Sequence, residues 1–314
     1  MLTTGLLSAL AERHGPVDVV VTPAAAPLVE THPAVRRVVR YDKRGRERGP
    51  GGFLRLAKAL RAEGYARSYL PHRSFRSAAL AWCARIPERI GFEESVGAWL
   101  YTRRVSAPRE GHQAERLLAL ACLAPATDAR VHLELTEEDR AAAYAWLATR
   151  GIGDGFVALA PGSIWATKRW PGFADLARLL PGRVVVIGGT EDAAVSDSVV
   201  TAAPDRVASA AGAVPIRVSA ALIERAAVLV TNDSATLHLA SAVGTPVVAI
   251  FGPTVPAFGF GPRGDRVGIV ERGDLTCRPC SRHGPQRCPL GHHRCMREIS
   301  APVVRDMVLA LSEP

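Results

Sequence analysis

Two apolar runs, residues 228–231 (VLVT) and 247–251 (VVAIF), flank a stretch of helical periodicity that stops at Gly244, just before Pro246. Runs this short and this apolar read as strands covered on both faces, and a buried strand, a helix and a second buried strand make the repeating unit of a parallel sheet. The same alternation continues through most of the chain. Further strands are expected at 17–21, 68–70, 89–92, 156–160, 184–188 and 267–270, with helices at 53–63, 74–85, 172–180, 191–203 and 234–243. Thr3-Thr4 ahead of Leu6, Leu7, Ala9 and Leu10 reads as a helix start, so no strand precedes the first helix. The pattern predicts an α/β fold with helices on both faces of parallel sheets.

The alternation pauses around 125–150. Thr136 and Asp139 are spaced as a capping box at the head of a helix that runs to about Thr149, where Gly151, Gly153 and Gly155 break it. A domain boundary is expected here, giving an N-terminal domain over 1–150 and a C-terminal domain over 151–314. No uninterrupted apolar run of membrane-spanning length is present, and the first residues lack a basic leader, so neither a transmembrane helix nor a signal peptide is expected. The formal charge is +9, but 36 of the 39 basic residues are Arg, alongside abundant Ala, Gly and Pro. That composition reads as a GC-rich genome and a solvated basic surface, with attraction to an anionic partner as the alternative. Lysine is correspondingly scarce, which singles out Lys168.

Three segments carry candidate chemistry, each after a predicted strand. Ligands of open parallel sheets bind beyond the carboxyl ends of the strands. Asp233 and Ser234 stand at such an end and at a helix start, where free N–H groups and the helix dipole suit phosphate. Ala235 and Thr236 follow, and His238 shares a helix face with Ser234. The competing structural reading is that Asp233 or Ser234 only caps the helix and His238 is packed. The loop PGSIWATKRWP (161–171) is long for a strand-to-helix connection and holds Ser163, Thr167, Lys168 and Arg169. Glu191, in a third loop, is placed to accept hydrogen bonds from ribose hydroxyls or merely to sit in a first helical turn.

The motifs PGSIWATKRWP, VVVIGGTED and TNDSATLHLASAVGTPVVAIFGPT, in this order and spacing, resemble glycosyltransferase family 9, which contains the ADP-heptose:lipopolysaccharide heptosyltransferases. The tail CRPC…CPLGHHRCMREI is similar to the heptosyltransferase II branch. The resemblance implies the GT-B architecture, two Rossmann-like domains facing across a cleft, with nucleotide sugar bound by the C-terminal domain and acceptor by the N-terminal one. It implies that Ser163, Asp233, Ser234, Ala235 and His238 surround ADP-heptose, that Lys168 and Thr167 stabilise the leaving ADP, and that Glu191 meets the adenosine ribose. Ala235 stands where the family usually has Gly, which narrows the approach to phosphate. On the acceptor side Arg73 and Arg76 are candidates for the phosphorylated lipopolysaccharide core; solvated arginines at a helix start are the plain alternative. Partners would be ADP-heptose, the lipopolysaccharide core and, by peripheral contact, the inner face of the inner membrane, in the cytoplasm.

No Asp-x-Asp is present, so transfer is expected to be inverting and to need no metal cofactor. The family's general base is an Asp shortly before the Leu-Thr-Thr motif, and Met1-Leu2-Thr3-Thr4 opens just past that point. Either the true start lies upstream, or the protein is an inactive homologue that binds nucleotide sugar. Nucleic-acid binding is disfavoured, since no basic-aromatic motif accompanies the charge. Cys277, Cys280, Cys288 and Cys295 lie within nineteen residues rich in Pro, and a structural zinc site away from the chemistry is one reading. Free thiols and disulfides are the others.

Overall fold

The computed structural model describes residues 1–122 and 129–312. The chain divides into two compact units, Met1–Val131 and His132–Pro314. The first contains α1 (Thr4–His14), β1 (Val17–Val21), β2 (Val35–Arg40), α2 (Pro50–Ala62), β3 (Arg67–Leu70), α3 (Phe75–Cys83), β4 (Glu88–Phe92), β5 (Arg103–Val105) and α4 (Gln113–Leu118). Every strand pair in it is parallel, but the strands form two separate sheets, β1-β2 and β3-β4-β5. The helix expected at the start is α1, whose Leu6, Leu7 and Leu10 are buried.

The second unit opens with α5 (Glu137–Ala148) and continues with β6 (Val157–Ala160), α6 (Phe173–Leu179), β7 (Val184–Val186), α7 (Ala193–Ala202), β8 (Val207–Ser209) and α8 (Ile216–Arg225). It ends with β9 (Val228–Asn232), α9 (Ala235–Val243), β10 (Val247–Phe251), β11 (Val267–Glu271), the short α10 (Arg294–Arg297) and α11 (Ala301–Ser312). Its six strands form one parallel sheet in the order β11-β10-β9-β6-β7-β8. This is the doubly wound Rossmann order, built outward in both directions from the neighbouring pair β6 and β9. The continuous apolar runs have their reason here: β6, β7, β9 and β10 are buried at every position.

The units part before α5, whereas the glycine run after it had suggested a boundary at residue 150. The cause is polar as well as apolar. Ala143 and Leu147 of α5 are buried, and Arg140 pairs with Glu224 of α8 at 2.9 Å. Asp139 meets the Arg217 guanidinium of the same helix at 3.0 Å. The expected capping box forms, with Thr136 accepting from the Asp139 N–H at 3.2 Å and Asp139 accepting from the Thr136 N–H at 2.8 Å. Burial alone would raise the Asp139 carboxyl; Arg217 and the two Thr136 donors outweigh it and hold the group below its usual value.

Candidate functional site

Neighbouring strands whose connections leave in opposite directions cannot both be covered at their carboxyl ends, and a crevice opens there. Between β6 and β9 that crevice is a cavity of about 670 Å³. Its lining includes Ser163, Lys168 and Arg169 from the loop after β6, Gly188 to Asp192 from the loop after β7, and Asp233 to Thr236 with His238 from the start of α9. Ile187, Val214, Ile216 and Leu239 give it an apolar side. One cavity therefore gathers Ser163, Lys168, Glu191, Asp233, Ser234, Ala235 and His238.

Thr167 is the exception. It is buried, it is not among the lining residues, and its hydroxyl donates to the carbonyl of Pro285. Its work is to hold the loop, so a direct contact with a ligand in this cavity would need the loop to turn.

Lys168 and Asp233 are paired. Lys168 Nζ lies 2.5 Å from Asp233 Oδ2, and each side chain is only 10% exposed. The buried Thr254 hydroxyl donates to the same carboxylate oxygen at 2.7 Å. Two consequences follow from charge. Asp233 is bound as the ammonium's counter-ion, and the Lys168–Asp233 pair carries no net charge. An anion in the cavity needs further donors to balance it, and Arg169 and the amino end of α9 are at hand.

Asn232, fully buried at the end of β9, fixes the loop from below. Its Nδ2 donates to the Pro161 carbonyl at 2.8 Å, and its Oδ1 accepts from the Trp170 N–H at 3.1 Å. Both ends of the loop that carries Lys168 are thus tied to one side chain. Arg169 Nε closes the loop on itself through the Ser163 carbonyl at 2.8 Å.

Ser234 occupies the N-cap position of α9 but makes no capping bond. Its hydroxyl instead joins Thr231 and Thr236, with oxygens 2.6 to 3.3 Å apart. The first-turn N–H groups of α9 are left uncapped by Ser234 beside the cavity. Glu191 sits in a single turn, Thr190–Asp192, where Asp192 accepts from the Gly189 N–H at 3.0 Å. Gly162 leaves room for the Asp192 carboxylate: a Cβ there would stand 2.2 Å from it, so the carboxylate would have to shift.

Arg73 and Arg76 belong to the other unit and are both engaged within it. The Arg73 guanidinium lies over the Phe92 ring, 5.0 Å from its centroid, and Arg76 donates to the Tyr41 hydroxyl at 2.7 Å.

The cysteine-rich segment does not stand apart from this site. It runs alongside the loop that carries Lys168, through Pro285, Gln286 and His293. All six cysteines are free thiols. Burial, then the neighbouring Cys277 and Cys288 side chains, raises the Cys280 thiol, and burial pushes the Cys295 thiol up to about 11. Among the described residues no group of three or more His, Cys, Asp or Glu side chains could hold a metal ion.

Asn232, Thr254 and the tail residues Gln286 and His293 were missed by reading the sequence. Asn232 and Thr254 adjoin segments already suspected, so the strand-end polar residue was a usable signal. Gln286 and His293 act across about 120 residues of chain, and nothing local marks them.

A doubly wound sheet with a lined cavity at its switch point defines a Rossmann-type α/β protein with a candidate ligand site there. The chain belongs to glycosyltransferase family 9 (heptosyltransferase), whose model matches residues 53–289. It is 28% identical over 285 residues to the lipooligosaccharide heptosyltransferase 2 of Haemophilus influenzae, covering 81% of this chain and 79% of that one. The structure is similar to that of the ADP-heptose lipopolysaccharide heptosyltransferase II of Escherichia coli, with a TM-score of 0.80, 22% identity, and 99% and 94% of the two chains covered. It is also similar to an Escherichia coli heptosyltransferase solved with ADP-2-deoxy-2-fluoro heptose, with a TM-score of 0.70, 20% identity, and 98% and 95% covered. The architecture is accordingly of the GT-B type. Among the described residues no helix is long and apolar enough to cross a membrane.

Proposed function

We propose that this protein transfers a heptose from ADP-heptose to the lipopolysaccharide inner core, with inversion and without a metal, at the inner face of the inner membrane. The observation that carries the reading is Lys168, held by Asp233 in the cavity between the loop after β6 and the start of α9. Membership of the family and the activity in its relatives' names support the donor and acceptor.

In the proposed reaction an acceptor hydroxyl oxygen bonds to the anomeric carbon of the heptose. The bond from that carbon to the β-phosphate oxygen breaks, and its electron pair stays on ADP. Lys168, Arg169 and the amino end of α9 meet the growing negative charge, which is the effect that most often dominates such catalysis. Apolar Ile187, Val214 and Ile216 suit the adenine, and Glu191 suits the ribose hydroxyls. Asp233 is engaged by Lys168 and Thr254, which speaks for one direct displacement rather than two steps through a carboxylate ester. One displacement inverts the anomeric centre.

The hydroxyl proton must pass to a base. The family resemblance assigns that part to an Asp just ahead of the Leu2-Thr3-Thr4 motif. The test gives the protein ADP-heptose and a lipopolysaccharide core acceptor. ADP release with heptosylated acceptor is expected. Tight ADP-heptose binding without turnover would instead support a homologue that binds and does not transfer. Preference for another nucleotide sugar would sink the donor assignment.

A further inference from the structure

The segment between Arg278 and His293 touches two members of the Lys168–Asp233–Thr254 group, the Lys168 side chain and the Thr254 backbone. At one end the Arg278 side chain, 4% exposed, spends its donors on the chain that carries Thr254. It bonds the carbonyls of Gly252 and Thr254, the latter at 2.8 Å, and is neutralised by Glu271 at 2.8 Å. In the middle, Gly284 lies against Lys168 itself: a Cβ there would meet the Lys168 stem at 3.4 Å, and its φ of +80° suits glycine. At the other end Gln286 Oε1 accepts from the Ala166 N–H and its Nε2 donates to the Ile164 carbonyl, both at 3.1 Å. His293 Nε2, 2.7 Å from the Thr167 carbonyl, donates to it.

We infer that residues 278–293 are a positioning strap for the donor site, in which Gln286 and His293 hold the loop that aims Lys168. The inference rests on the reading of this cavity as the nucleotide-sugar site, but the strap's mechanical part does not depend on it. The loop has little apolar anchorage of its own between residues 163 and 166: Ile164 is 81% exposed. Its shape is therefore set by polar contacts, and four of its residues in a row meet the strap. Ile164 and Ala166 do so through Gln286, Trp165 by stacking on His283 at 6.5 Å, and Thr167 through Pro285 and His293. Gln286 is exposed, so removing its amide leaves no cavity and no buried unpaired group. Small displacements of a charge that acts on a leaving group are costly, on the order of a hundredfold for 1 Å. Gln286 is a positioning residue by this argument: it touches the loop and not the ligand.

Gln286→Ala in the full chain tests it by amide hydrogen exchange over residues 164–169 and by calorimetric titration with ADP. The informative amides are those of Lys168 and Arg169, which bond inside the loop's own turn to Trp165 and Ala166 and not to Gln286. Their exchange is expected to quicken about tenfold and ADP affinity to fall about tenfold, with an unchanged thermal midpoint. Gln286→Glu keeps the acceptor for Ala166 and loses the donor to Ile164, so it should fall between. Unchanged exchange at Lys168 and Arg169 overturns the strap whatever ADP does. Faster exchange with wild-type ADP affinity overturns its link to the donor site. If the wild-type protein binds no ADP, the cavity has been misread as a donor site, and the exchange result alone decides whether the strap exists.

Discussion

The two units are built from the same elements and differ in one respect, the continuity of the sheet. In the second unit six strands pair without a break, four of them buried at every position. In the first unit five strands split into a pair and a triplet, and β1 and β2 have no fully buried position. The continuous sheet creates a switch point with a cavity and gathers polar side chains there. In the split arrangement ionic groups take over from apolar packing. Asp18 on β1 binds Arg36 at 2.8 Å and is held below its usual carboxyl value by that bond, against the raising effect of burial. Candidate cations such as Arg76 are likewise committed to neighbours.

The largest effect that separates the units is on stability. Leu159 is fully buried in β6, and Leu159→Ala should cost about 2–5 kcal/mol in denaturant unfolding. Val20, 40% exposed in β1, should cost under about 1 kcal/mol when replaced by Ala. Equal costs would break the comparison. Next comes Lys168→Ala, expected to lower transfer about a hundredfold or more while leaving the fold intact. Turnover like that of wild type would remove Lys168 from the chemistry.

A smaller effect tests the seam at α5. Asp139→Asn should cost about 1 kcal/mol at neutral pH through weakened bonds to Thr136 and Arg217. Because the folded carboxyl titrates below its unfolded value, its stabilisation is complete above about pH 4 and lost as pH falls through the folded value. The gap between wild type and variant should therefore close on acidification; a gap independent of pH would show that the ionised form is not what matters. Smallest is the expected response to EDTA, which should leave the transfer rate unchanged. Loss of activity restored by Mg²⁺ or Mn²⁺ would overturn the metal-free reading.

The second unit was the more legible in sequence because its sheet is covered on both faces. Strands covered on both faces are written as unbroken apolar runs, so β6, β9 and β10 were read nearly to the residue. β2, with sequence VRRVVR, was missed because Arg36 and Arg37 answer Asp18 and Glu63 and not a simple alternation of faces. β5 and β8 are three residues each, too short to show a period. In the site, residues attached to strand ends were found, because the fold class places function there. The ties between Lys168, Thr254 and the tail were not found, since pairings across 20 to 120 residues leave no local trace.

The Asn232 amide has a consequence for how this loop could change over time. With one hand on Pro161 and the other on Trp170, it acts as a ruler laid across the loop's base. A residue inserted or deleted between 161 and 170 must bulge or tighten at the tip, around Ile164, because the base cannot widen. Substitutions at the tip are tolerated by the same logic. The loop is thus fixed in length and free in spelling only at its tip, and a transplant into another doubly wound sheet would have to bring its asparagine along.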